Sequence, residues 1–136
     1  MNTLRQLIVL ALIVSACAGD KQNEGASIRD VVAGYYDGIS KNDHEKMTGE
    51  TTPDFILYEA GKVWNNDSVF HEMKKYKYEM TYSLNDFNIV TDNTRAYARY
   101  QAQVNFIFDD TLKQTLDFIE NAAFEKTGDS WKMSVL

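Results

Sequence analysis

The sequence predicts an α+β domain in which three N-terminal helices pack on an antiparallel sheet. Three observations carry this. Apolar side chains recur at helical spacing between residues 28 and 39. From residue 76 onward the chain alternates apolar and polar in long runs, the period of a strand with one buried face. Short turn signals at Asp92-Asn93, Asp109-Asp110 and Gly128-Asp129 separate those runs.

In the first helix, Ile28, Val31, Val32, Tyr35, Tyr36 and Ile39 fall on one arc, with Asp30, Asp37 and Lys41 opposite. Ser27 with Asp30 has the form of a capping box. Gly34 and Gly38 flank the arc, and each costs about 1 kcal/mol against alanine, so close packing is expected as compensation. A short second helix follows Asp43 and ends near Gly49. Pro53-Asp54 open a strand, Ala60-Gly61 turn it, and Lys62–Trp64 form its short partner. Asn66-Asp67 can cap a third helix to about Tyr76, with Val69, Phe70, Met73 and Tyr76 on one face.

In the next strand, Tyr76, Tyr78, Met80, Tyr82 and Leu84 share a face, but Phe87 and Ile89 are out of phase with them. A β-bulge at Asn85-Asp86 in one long bent strand accounts for the flip. The following strand places Ala96, Ala98, Tyr100, Ala102, Val104, Phe106 and Phe108 inward. After Asp109-Asp110 the chain returns through Leu112, Leu116, Phe118, Ala122 and Phe124, and Trp131 and Met133 lie in a last short strand.

The chain has 136 residues, 44% hydrophobic and 25% charged, the balance of one compact domain. A net charge of −6 argues against a nucleic-acid partner and against electrostatic attachment to anionic lipid. Cys17 is the single cysteine, which excludes an internal disulfide. It follows a start carrying one basic residue, Arg5, an aliphatic run Leu7 to Val14, and the small residues Ser15 and Ala16. That run is about a dozen residues, against the ~20 needed to cross a bilayer. Basic start, short apolar middle and small residues describe an export signal.

Val14-Ser15-Ala16-Cys17 also resembles a bacterial lipobox, which implies lipidation of Cys17 and a mature chain that begins there. The expected organisation is a signal peptide at 1–16, a flexible tether at 17–25 and one domain at 26–136. The expected setting is the bacterial cell envelope, lipid-anchored, on the outer membrane if the host has two, facing the periplasm or the surface. Several acyl chains on one residue anchor stably where one binds only marginally.

The order of elements, with Phe124, Lys126, Gly128-Asp129, Trp131, Lys132 and Met133 at the end, resembles the nuclear transport factor 2-like superfamily, particularly its SnoaL-like bacterial branches. The likeness covers roughly residues 26 to 136. It implies a cone-shaped roll, a curved sheet around the first helix with an apolar pocket at the open end, and homodimers packed through the sheet. The superfamily holds isomerases, dehydratases, cyclases and proteins without known chemistry, so the fold does not give the function.

Glu120 is the anomaly of the sheet, an acid on a face whose only other polar residue is Gln114. A three-residue connection Asp109-Asp110-Thr111 pairs Phe108 with Leu112 and carries Glu120 opposite Tyr100, with Ala98 and Ala102 leaving room beside it. A carboxyl in such a cleft has a raised pKa and can act as a general base, hydrogen-bond a ligand, or simply bond a tyrosine hydroxyl. A two-residue loop would instead pair Glu120 with Arg99 at the surface. Tyr36, Trp64, Tyr78, Met80, Tyr82, Ala98 and Tyr100 are the candidate pocket residues, although aromatics that merely fill the core read the same way.

His71 lies about 160° from the apolar face of its helix, at roughly 100° per residue, and is expected in solvent. His44 starts a short polar helix and carries no stronger signal. No cluster has metal-ligand spacing, no nucleophile motif or glycine-rich phosphate loop is present, and no cofactor is implied. The leading expectation is a lipid-anchored domain that binds a small apolar molecule. Ranked below it are an isomerase- or dehydratase-type enzyme with Glu120 as base, which lacks an evident second acid or base, and an interaction module with a filled cone.

Overall fold

The computed structural model describes residues 23–136. The expected signal peptide, Cys17 and the tether up to residue 22 lie outside the described residues.

Helix α1 occupies residues 23–40 and buries Ile28, Val31, Val32, Tyr35 and Tyr36, the arc its periodicity marks. It is already helical at residue 23, so Ser27 sits within it and is no cap, and residues 23–25 belong to the helix, not the tether. The Glu24 carboxylate, accepting from Thr91 Oγ1 at 3.1 Å and Lys126 Nζ at 3.2 Å, holds this end against the sheet. Helix α2, His44–Gly49, is capped by Asp43, whose side chain accepts from the Lys46 N–H. The α1 glycines are where α2 and its C-cap approach. A Cβ on Gly38 would lie 2.7 Å from Met47 Cγ and 2.9 Å from the Met47 nitrogen, and one on Gly34 would meet the Glu50 side chain.

Strand β1, Thr51–Glu59, starts before Pro53, and its register with the neighbouring strand is irregular between Thr51 and Ile56. That irregularity accommodates a proline inside a strand. Ala60 and Gly61, at φ 51° and 73°, turn it into β2, Lys62–Trp64. Both positive φ values suit a type I′ hairpin. Helix α3, Asn66–Met73, is capped one residue earlier than expected: Asn65 accepts from the Ser68 N–H and its own N–H donates to Ser68 Oγ. It also ends before Tyr76, which is 53% exposed in the connection beyond it.

Strands β3 (Tyr78–Thr91), β4 (Arg95–Phe108), β5 (Leu112–Thr127) and β6 (Ser130–Val135) form an antiparallel meander. The register of β3 slips between Asn85 and Asn88, with Asp86 at φ 54°, so the phase flip marks a bulge in one continuous strand. The sheet order is β2-β1-β6-β5-β4-β3, and β1 runs parallel to β6. The sheet is therefore mixed, not antiparallel throughout: the meander returns β6 alongside β1 in the same direction. The even-numbered face of β4 packs on α1 and forms the core with Phe124, Trp131 and Met133.

Candidate functional site: a tyrosine-ringed carboxylate in an apolar cavity

The site begins with a turn. Asp109 and Asp110 take positive φ, 49° and 62°, and Thr111 N–H donates to the Phe108 carbonyl at 3.0 Å. Aspartate tolerates this left-handed conformation better than most residues. The connection has three residues, Phe108 pairs with Leu112, and along the ladder Glu120 faces Tyr100 and Ala122 faces Ala98. The two-residue alternative, with Glu120 against Arg99, is excluded, because Arg99 pairs with Asn121.

Glu120 therefore enters the inner side of the sheet. The Tyr100 hydroxyl donates to its Oε2 at 2.6 Å, and the Tyr36 hydroxyl lies beside both the carboxylate and Tyr100. The Tyr100 ring is 1% exposed and stacks on Phe87, with centroids 4.9 Å apart. Burial pushes the Glu120 carboxyl above its usual range; the two tyrosine hydrogen bonds act against that, and the Glu59 charge adds to it. Burial and the Glu120 charge raise the Tyr36 and Tyr100 hydroxyls, so both remain protonated donors at any physiological pH.

Between α1, β1, α3 and the β4–β5 pair lies a cavity of about 440 Å³. Its walls include Leu57, Met80, Phe106, Leu116 and Phe118, and its polar groups are Glu120, Glu59, Asn121 and tyrosine hydroxyls. Tyr35 also lines it, fully buried, with a hydroxyl that has no protein partner.

Of the residues expected to line a pocket, Tyr36, Met80 and Glu120 do so. Tyr78 and Tyr82 face inward but brace α1. Tyr78 Oη donates to the Ile39 carbonyl at 2.6 Å, and Tyr82 Oη lies 2.7 Å from Asp37 Oδ1 and 3.0 Å from the Ala33 carbonyl. The Tyr82 bond, with Lys46 and Lys41 nearby, lowers the Asp37 carboxyl to about 2. Ala98 and Tyr100 pack in the core beside the cavity, and Trp64 donates from Nε1 to the Glu59 carbonyl at 3.4 Å. Tyr35, Leu57, Glu59, Phe106, Leu116 and Phe118 were not singled out from sequence. Tyr35 lies on the α1 apolar arc, and Phe106, Leu116 and Phe118 continue the even faces of β4 and β5.

His71 is exposed, as expected, whereas His44 Nε2 lies 2.8 Å from Asp67 Oδ1 between α2 and α3. Among the described residues no group of histidine, cysteine and acidic side chains could hold a metal ion, and no helix is long and apolar enough to cross a membrane.

No family model and no curated protein matches the chain. Solved structures do. A hexachlorocyclohexane dehydrochlorinase superposes with a TM-score of 0.73 at 11% identity, over 85% of this chain and 84% of that one. The association domain of C. elegans CaMKII gives 0.71 at 15% identity, over 85% and 95%. A Mycobacterium tuberculosis protein of unknown function gives 0.76 at 16% identity, over 87% and 72%. These likenesses define the class: the chain has the nuclear transport factor 2-like fold. At such identities they define nothing finer.

Proposed function

We propose that this protein is a binding domain for a small, largely apolar molecule, held in the cavity with its polar end at Glu120. The observation that carries the reading is the pairing of apolar walls with one partly buried carboxylate ringed by tyrosines. Sites of this kind gain affinity from apolar contact and orientation from a few polar groups. The N-terminal reading belongs to the same proposal: residues 1–16 direct export, Cys17 is acylated, and the domain meets its ligand in the bacterial cell envelope. We further propose a homodimer through the outer sheet face, where Val90, Tyr97 and Ile119 are exposed and Val90 and Tyr97 are cross-strand partners.

Native mass spectrometry of the protein isolated from its host tests all three readings. The expected spectrum shows a dimer, acyl mass lost in a Cys17→Ser variant, and a non-covalent small-molecule adduct. An unacylated mature chain refutes the anchor. A protein that carries no adduct and takes up no apolar probe refutes the pocket.

A second reading is enzymatic, favoured by the raised Glu120 carboxyl, which suits a general base in an apolar cleft. Solvent deuterium entering a bound ligand with wild-type protein, but not with Glu120→Gln, distinguishes turnover from binding.

A further inference from the structure

The polar equipment of the cavity is one-sided. Among the described residues its lining holds two carboxylates, Glu120 partly buried beside the tyrosines and Glu59 at the exposed rim, and no lysine, arginine or histidine. The side chains that act on Glu120 are two tyrosines and Glu59, and no basic side chain among the described residues is one of them. A carboxylate drawn partly out of water commonly sits against a cation, because hydrogen bonds alone offset only part of its lost hydration. Here the described residues supply no cation to the cavity lining.

The hydroxyl protons nearest Glu120 are also spent. Tyr100 Oη–H is committed to Glu120 Oε2, and the Tyr36 hydroxyl is engaged with the same pair. A tyrosine oxygen that donates its one proton still offers lone pairs. The second carboxylate oxygen of Glu120 and the oxygen of Tyr36 are therefore acceptors. The Tyr35 hydroxyl, fully buried and with no partner among the described residues, adds a third acceptor oxygen and can turn its own free proton away from the ligand. A primary ammonium carries three donors and no acceptor.

We propose that the ligand of this cavity is an organic cation, a protonated amine on a flat or aliphatic apolar body, with the ammonium seated among Glu120, Tyr36 and Tyr35. This rests on the pocket reading above and names its ligand class. The aromatic rings of Tyr35, Tyr36 and Phe106 suit such a head group a second way, since their faces attract cations. An anionic ligand would add a like charge beside two carboxylates.

The test uses three probes of nearly one shape, 1-naphthylmethylammonium, 1-naphthylmethanol and 1-naphthoate, titrated into the protein at neutral pH by calorimetry. The ammonium is expected to bind about tenfold or more tighter than the alcohol, the ratio a charge-assisted contact supplies, and the naphthoate weakest. Glu120→Gln is expected to bring the ammonium and the alcohol within about threefold of each other. Tyr35→Phe, which keeps the ring and Glu120, weakens the ammonium by about three- to tenfold and the alcohol less. Alcohol or naphthoate binding as tightly as the ammonium overturns the cation while leaving the pocket standing. An ammonium preference unchanged in Glu120→Gln overturns the assignment to Glu120. If none of the probes binds, the pocket itself fails.

Discussion

Tyr100→Phe removes one hydroxyl from the Glu120 centre and leaves the ring stacked on Phe87. The lost contact is a 2.6 Å O–H···O bond to a carboxyl whose state depends on pH. A hydrogen bond to a charged group contributes about 1.5–3 kcal/mol, a neutral one about 0.5–1.5. The substitution should therefore cost roughly 2 kcal/mol where Glu120 is ionised and roughly 1 where it is protonated. The sign follows from the shift. Burial raises the folded-state pKa of Glu120 above the ordinary 4.5, so its contribution to stability is fully present below that value and is lost as pH rises through the folded pKa. The Tyr100 bond works against this by favouring the ionised form, so without it the loss is steeper. The gap between wild type and variant should widen by about 1 kcal/mol from about pH 4 to about pH 8. Urea denaturation of wild type, Tyr100→Phe, Glu120→Gln and the double variant at both pH values reads it. In the Glu120→Gln background the tyrosine change should cost about 1 kcal/mol at either pH. Equal costs at both pH values in the Glu120 background would sink the reasoning, because the bond would then not sense the charge.

The two α1 glycines should separate on replacement. Gly38→Ala forces a Cβ against the Met47 backbone nitrogen and should cost about 1–3 kcal/mol by overpacking, less the ~1 kcal/mol of helix propensity it gains. Gly34→Ala meets only the Glu50 side chain, which can swing to solvent, so thermal melts should show it neutral to about 1 kcal/mol stabilising; similar losses at both sites would refute this account of the packing. On the outer sheet, Tyr97→Glu places a charge in the proposed interface, and sedimentation should show it as a monomer where the wild type is a dimer. A dimer unaffected by that charge places the contact elsewhere.

Much of the sheet was legible because strand parity is a strict code. Parity favoured Glu120 opposite Tyr100 over the two-residue alternative, since a three-residue turn keeps apolar faces together, and the structure takes that register. The same parity located the β3 bulge. The parallel β1–β6 pairing was not legible. It is a contact between residues about eighty positions apart, between Thr51 and Met133 for example, and no local pattern records it. The α3 cap was missed because Asn65, Asn66 and Asp67 are all competent capping residues in a row.

The pocket residues show where parity stops. Tyr78, Met80 and Tyr82 share one face of β3, yet only Met80 reaches the cavity. What divides them is the path of α1 across that face: the helix presents the Ala33 and Ile39 carbonyls and Asp37 to the two tyrosines and takes both hydroxyls. That path depends in turn on how closely α2 can approach, which Gly38 permits at Met47 and Gly34 permits at Glu50. Two glycines that read in sequence only as helix weaknesses thus help decide which aromatics brace the fold. The hydroxyl left over, on Tyr35, lies in the cavity within the field of Glu120.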